Sequence, residues 1–204
     1  MQKKLILTCV AIAAFAAFTA PSASAANLKE AGLTLAPGAS ITAKGSGPTL
    51  FTAAGFNLAC SSTHASATVT ADAGGTIAGE IPVGGIELKG TGAGEDCTSN
   101  LGPFKPTMTS KLCLHINAGT DVGTMTGCGG NIKFSINFTS VATCKYLTAS
   151  VSGTITTSGD AEVSGLEQPV AEESPGTFFC PDSAKVDSQW VLTTTNGTTL
   201  QFTT

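Results

Sequence analysis

The chain contains no arginine, one tryptophan (Trp190), one tyrosine (Tyr146) and two histidines (His64 and His115). Each shortage excludes something. Ten lysines are scattered among fourteen acids, so no basic cluster exists to grip phosphates, and nucleic acid is excluded as a partner. Nucleophilic catalysis usually needs a histidine base, and neither histidine sits in a nucleophile motif; Gly-x-Ser-x-Gly is absent. With one Trp and one Tyr, platforms for stacking sugars are scarce. Cys-x-x-Cys is missing and the histidines are unsuitably spaced for zinc, while no Asp-x-Asp-x-Asp run offers a calcium loop. After the N-terminal segment no apolar run approaches the roughly 18 residues of a membrane-spanning helix.

What is present begins with a leader. Lys3 and Lys4 precede an apolar stretch over 5–18, and Pro21-Ser22-Ala23-Ser24-Ala25 ends in a small-x-small cleavage pattern. Cleavage after Ala25 predicts a protein secreted to the periplasm or beyond. Cys9 lies inside the leader. The remaining six cysteines, Cys60, Cys97, Cys113, Cys128, Cys144 and Cys180, are an even set in an exported chain and read as three disulfides. Six cysteines allow 15 pairings. Neighbour pairing is the expectation: Cys60 with Cys97, Cys113 with Cys128, Cys144 with Cys180.

Threonine, serine, glycine and alanine dominate, charged residues amount to 12%, and no helical period follows the leader. Short alternating segments separated by Gly, Asn and Pro predict an all-β fold, an antiparallel β-sandwich, Ig-like or related, stabilised by disulfides. It is read as one domain over 26–204, divisible into two β halves at 26–100 and 107–204. The clearest strand is 131–141. Ile132, Phe134, Ile136 and Phe138 share one parity, and Lys133, Ser135, Asn137 and Thr139 the other, so one face is dry and one wet. Burying those four residues is worth on the order of 6–12 kcal/mol before chain entropy is subtracted. In 111–116, Leu112, Leu114 and Ile116 point inward and Cys113 and His115 outward, so a Cys113–Cys128 bridge would staple a hairpin. Residues 99–106, with two prolines, read as the seam between the halves. Residues 146–157 read as one long strand with Gly153 a bulge, and 167–176 as an exposed loop. Val186, Ser188, Trp190 and Leu192 alternate towards Asn196-Gly197, a type I′ hairpin turn, after which Leu200 and Phe202 return.

Candidate chemistry is sparse. Ser62 beside His64 reads as loop polarity and His115 as a cross-strand surface residue. Glu95-Asp96, Glu172-Glu173 and Glu80 with Glu87 are the acid pairs that glycoside hydrolysis would require, yet acids beside loops also serve solubility. Trp190 alternates with core residues, and Asp72, Asp121 and Asp160 are isolated oxygen donors. Asn137-Phe138-Thr139 and Asn196-Gly197-Thr198 match the glycosylation triplet, as threonine abundance makes expected. No catalytic, cofactor or metal residue is assigned.

Certain landmarks resemble a known group. Ala26-Asn27-Leu28, Leu35-Ala36-Pro37-Gly38, Phe56-Asn57-Leu58-Ala59-Cys60-Ser61-Ser62, Cys128-Gly129-Gly130, Cys144-Lys145-Tyr146 and Phe178-Phe179-Cys180-Pro181 are similar to those of exported, disulfide-bonded β-rich proteins of actinobacterial type. A fainter similarity is to the exported activators of alkane oxidation. The resemblance implies fold and compartment and brings no catalytic residues. The expected function is non-catalytic, a binding or structural role at or outside the cell surface. A pilus or matrix subunit assembling by strand exchange, and a secreted hydrolase, are the alternatives.

Overall fold

The computed structural model describes residues 27–53, 56–73, 75–91, 93–117, 122–138, 142–156, 162–172, 180 and 183–203. The predicted leader, Asp121, Asp160 and Glu173 lie outside them. The strands in chain order are β1 (Asn27–Glu30), β2 (Leu33–Thr34), β3 (Ser40–Gly45), β4 (Thr49–Ala53), β5 (Phe56–Cys60) and β6 (Ser62–Ala73). Next come β7 (Thr76–Ile81), β8 (Ile86–Lys89), β9 (Cys97–Ser99), β10 (Gly102–Met108), β11 (Leu112–Asn117) and β12 (Val122–Gly127). The last are β13 (Ile132–Phe138), β14 (Ala142–Thr148), β15 (Ser150–Thr156), β16 (Glu162–Glu172), β17 (Ser183–Thr194) and β18 (Gln201–Thr203). The chain is all-β, antiparallel and sandwich-like, with three disulfides. Among the described residues no helix is long and apolar enough to cross a membrane.

The sheet closes on itself twice. One circuit of ladders runs β3–β17–β16–β15–β12–β11–β7–β6 and returns to β3. A second runs β17–β4–β5–β9–β10–β13–β14–β16 and returns to β17. The long strands β16 and β17 belong to both. Residues 162–165 of β16 pair with β15, while Ala171 and Glu172 pair with β14. On β17, Trp190 to Thr194 pair with β3, and Ala184 to Asp187 with β4. Each circuit therefore draws strands from both sequence halves.

Each circuit has its own core. The second is packed with Phe51, Phe104, Phe134, Phe138 and Tyr146 around the buried Cys60–Cys97 and Cys144–Cys180 bridges. Phe134 stacks on Tyr146 with centroids 5.3 Å apart, and Phe51 meets Phe104 edge-on at 6.3 Å. The first holds Ile41, Val69, Ile77, Ile116 and Leu192 at one end, covered by the three-stranded sheet β18–β1–β2 through Leu28, Leu200 and Phe202. The third bridge, Cys113–Cys128, staples the β11–β12 hairpin with its Cα atoms 5.0 Å apart.

Strand β13 shows the alternation predicted for it, Ile132, Phe134, Ile136 and Phe138 being buried. Several expectations are corrected. Residues 99–106 are no seam: β9 and β10 form a tight hairpin within the second circuit. The predicted long strand over 146–157 breaks at Ala149, where the chain passes from β14 in one circuit to β15 in the other. Gly153 is not a bulge, since it pairs in register with Gly123 and Gly165. Strand β16 runs to Glu172, through most of the predicted loop. At Asn196-Gly197 only Gly197 has positive φ, and Gly197 N–H donates to the Thr194 carbonyl, so the turn is type I followed by a left-handed glycine. A turn with two positive φ angles, as type I′ needs, occurs instead at Ala31-Gly32 between β1 and β2. Strand β18 then leaves β17 to pair with β1.

Asp72, buried on β6, anchors the covering sheet by accepting the Leu28 N–H at 3.2 Å. Burial pushes its carboxyl above the ordinary 3.8, against the opposing backbone N–H bonds from Leu28 and Leu35 and the charge of Lys29. A carboxyl whose folded-state pKa is raised binds more protons folded than unfolded, so its contribution to stability falls as pH rises through that interval. Asp72→Asn should therefore gain on wild type in urea midpoint as pH rises above 3.8. A difference between variant and wild type that stays constant, or that shifts in favour of wild type as pH rises, contradicts this assignment.

Candidate functional site

Three of the acids considered for hydrolysis are engaged by lysines. Glu80 pairs with Lys111 at 2.6 Å, and Lys89 meets Glu95 at 2.8 Å and Glu87 at 3.9 Å. The hydrogen bond and charge of Lys89 hold the Glu95 carboxyl below its ordinary range, the reverse of what a general acid needs. His64 is exposed on β6, between Lys44 of β3 and Glu87 of β8. His115 is exposed on β11. Ser62 shares the parity of His64. Glu80 lies beside Cys113 and Cys128, close enough for a three-ligand metal group, but both sulfurs are already joined to each other. Tyr146 is fully buried, Asn137 is exposed in mid-strand and Asn196 is exposed in its turn.

The concave feature with chemical character lies at the seam between the two circuits, an apolar cavity of about 150 Å³. Its origin can be followed rung by rung. Across the inner face of the first circuit, Ile77, Ile116, Gly123, Gly153 and Gly165 are successive register partners, and Ser188 follows. Three adjacent glycines leave that row without side chains. Neither Gly123 nor Gly153 has positive φ, so neither is there for its backbone conformation. Glycine inside a strand often marks a place where something approaches the backbone closely. The next row, Leu114, Met125 and Val151, borders the same space.

The facing wall comes from the second circuit, with Phe51, Met108, Ile132 and Phe134, and Val186 and Trp190 of the shared strand β17 complete it. Several inward-facing side chains here, among them Met108, Met125, Val151 and Trp190, are only partly buried, although Phe104 and Leu192 on the same faces of β10 and β17 are buried. Two thioethers and an indole make an adaptable, polarizable lining. Thr49 and Ser188 supply hydroxyls at one side.

A second depression, about 300 Å³, lies over β4, β5 and β9, where the β5–β9 ladder is only two pairs long. Leu50, Thr52, Asn57 and Thr98 in its lining are all exposed, so a ligand there would remain largely in water. The seam cavity is walled mainly by buried and half-buried apolar side chains and is the better site.

Of the residues weighed for chemistry in the sequence, only Trp190 lines the cavity, whereas Leu114, Ile132, Phe134, Gly153, Val186 and Ser188, read there only as parts of strands, line it too. Gly123, Gly153, Met108, Met125 and Ser188 carried no motif. The one available signal was glycine at the inward parity of two strands. No protein-family model, curated protein or solved structure matches the chain, so its resemblance to the exported β-rich group rests on the sequence landmarks alone.

Proposed function

We propose that this is an exported, non-catalytic binding protein, acting outside the cell or at its surface, which holds a small apolar molecule at the seam between its two β circuits. The observation that carries this reading is the cavity bounded by the Gly123–Gly153 row. Cavities of about 150 Å³ with apolar walls stay dry and accept molecules of benzene size. Three disulfides fit an oxidising compartment. Against hydrolysis stands the pairing of Glu80, Glu87 and Glu95 with lysines. Against strand exchange stands the closure of both circuits: among the described residues the strands with one ladder only are β8, β2 and β18, of four, two and three residues. Short, charged edges such as β8, with Glu87 and Lys89, resist strand addition.

Toluene titrated calorimetrically into the protein lacking residues 1–25 should show one saturable site. Gly123→Leu, which puts a side chain into the glycine row, should abolish the binding while keeping the β-sheet circular dichroism. Gly153→Val is the second filling variant. Heat that never saturates, or saturation unchanged in both folded variants, would sink the proposal.

A further inference from the structure

Five hydroxyl residues line the cavity, Thr49, Thr107, Thr148, Ser152 and Ser188, and those of Thr49 and Ser188 belong to a buried line whose hydrogen bonding is incomplete. Thr63 of β6, Thr49 of β4 and Ser188 of β17 form a line of hydroxyls, with Thr63 Oγ1 2.7 Å from Thr49 Oγ1 and Thr49 Oγ1 3.1 Å from Ser188 Oγ. All three are buried, at 1%, 2% and 8% exposure. Three hydroxyls carry three protons, and the two hydrogen bonds use two of them. Among the described residues neither end of the line makes another side-chain hydrogen bond. One terminal hydroxyl therefore keeps an unused proton, and a buried donor left without an acceptor is costly. Thr63 ends the line away from the cavity, whereas Ser188 faces into it. Running the line from Thr63 through Thr49 to Ser188 delivers the spare proton to the cavity.

Resting on the cavity reading above, we infer that the ligand is a monocyclic molecule with a single hydrogen-bonding oxygen, a small phenol, cyclic alcohol or ketone. Its ring occupies the space beside Gly123 and Gly153. Its oxygen accepts from Ser188 Oγ–H, completing the line. A plain hydrocarbon of the same size fills the space but leaves the donor unmet. Sites built around a hydrogen bond discriminate against analogues lacking the partner atom for this reason.

Phenol and toluene, two probes of similar size, test this in wild type, Ser188→Ala and Thr63→Val. Ser188→Ala should weaken phenol about ten-fold, the loss of one buried hydrogen bond, and leave toluene within about two-fold. Thr63→Val shortens the line from its far end, keeps Thr49 and Ser188 hydrogen-bonded, and should leave phenol within about two-fold. If Ser188→Ala weakens both probes equally, or neither, Ser188 is merely structural and the inference is overturned while the cavity reading stands. If neither probe saturates the wild-type protein, the cavity reading itself fails.

Discussion

Phe134→Asp should prevent folding, whereas Ser135→Asp, the next residue on β13, should lower the melting temperature only slightly. Phe134 is 7% exposed, with its ring between Phe51 at 6.3 Å and Tyr146 at 5.3 Å. Its strand is flanked by β10 and β14 in the middle of the second circuit. A carboxylate placed there would be desolvated among aromatic rings with no cation beside it, which costs several kcal/mol. Taking the phenyl ring away from its aromatic neighbours costs a further ~3 kcal/mol or more. Together these take most of the 5–15 kcal/mol that typically separates folded from unfolded states. Ser135 faces the other way, between Thr107 and Lys145, so an aspartate there gains a lysine in the next strand. Equal urea midpoints for the two variants would refute the register.

The second large effect concerns the Cys60–Cys97 bridge. Replacing both cysteines by alanine should cost ~4 kcal/mol from the chain entropy of the loop it closes. That loop spans 37 residues, against 15 for Cys113–Cys128. Local structure widens the difference. Cys60 and Cys97 are wholly buried and link β5 to β9, strands joined by only two residue pairs, Leu58 with Ser99 and Ala59 with Thr98. Cys113 and Cys128 are partly exposed and staple a hairpin already held by six pairs. Urea midpoints of the two double-alanine variants should therefore fall in the order wild type, Cys113/Cys128, Cys60/Cys97. The reverse order would mean that the second circuit is held at this point by something other than its bridge.

Local alternation exposed the faces of the strands but not their partners. Strand β13 was readable because Ile132, Phe134, Ile136 and Phe138 each carry a large apolar side chain at one parity. The inward face of β11 was readable for the same reason. Closure of the circuits was not, because β3 and β4 meet β17 through long-range pairing that periodicity does not encode. Strand β10 was hidden by Pro103 and Pro106, which ordinarily argue against an interior strand. Both are tolerated for a geometric reason. Thr109 N–H donates to the Lys133 carbonyl, which sets the side to which each β10 residue points its backbone groups. The nitrogen of Pro103 then faces β13 beyond the last paired residue, Phe138, and that of Pro106 faces β9 beyond Cys97. Among the described residues neither proline removes a ladder hydrogen bond.

The cavity was hidden more deeply, because it is made of missing side chains. Gly123 and Gly153 read separately as strand punctuation, and only the register of β12 against β15 sets them opposite each other. Ser188 read as one polar residue in an alternating strand. Its meaning depends on Thr49 and Thr63, 139 residues from Ser188 in the first case and 14 from Thr49 in the second. The alternation of Trp190 with Val186 and Leu192 points it inward, but nothing in the sequence marks the space in front of it.

That single tryptophan gives the most direct test of the ligand site. Bromobenzene quenches indole emission through its heavy atom only at close range, and Trp190 borders the cavity. In the protein lacking residues 1–25, quenching should rise to a plateau with a one-site dissociation constant, and the plateau should vanish in Gly123→Leu. Quenching that grows linearly with bromobenzene, identically in wild type and variant, would mean that ligand meets Trp190 only by collision, and that no small molecule is held at the seam.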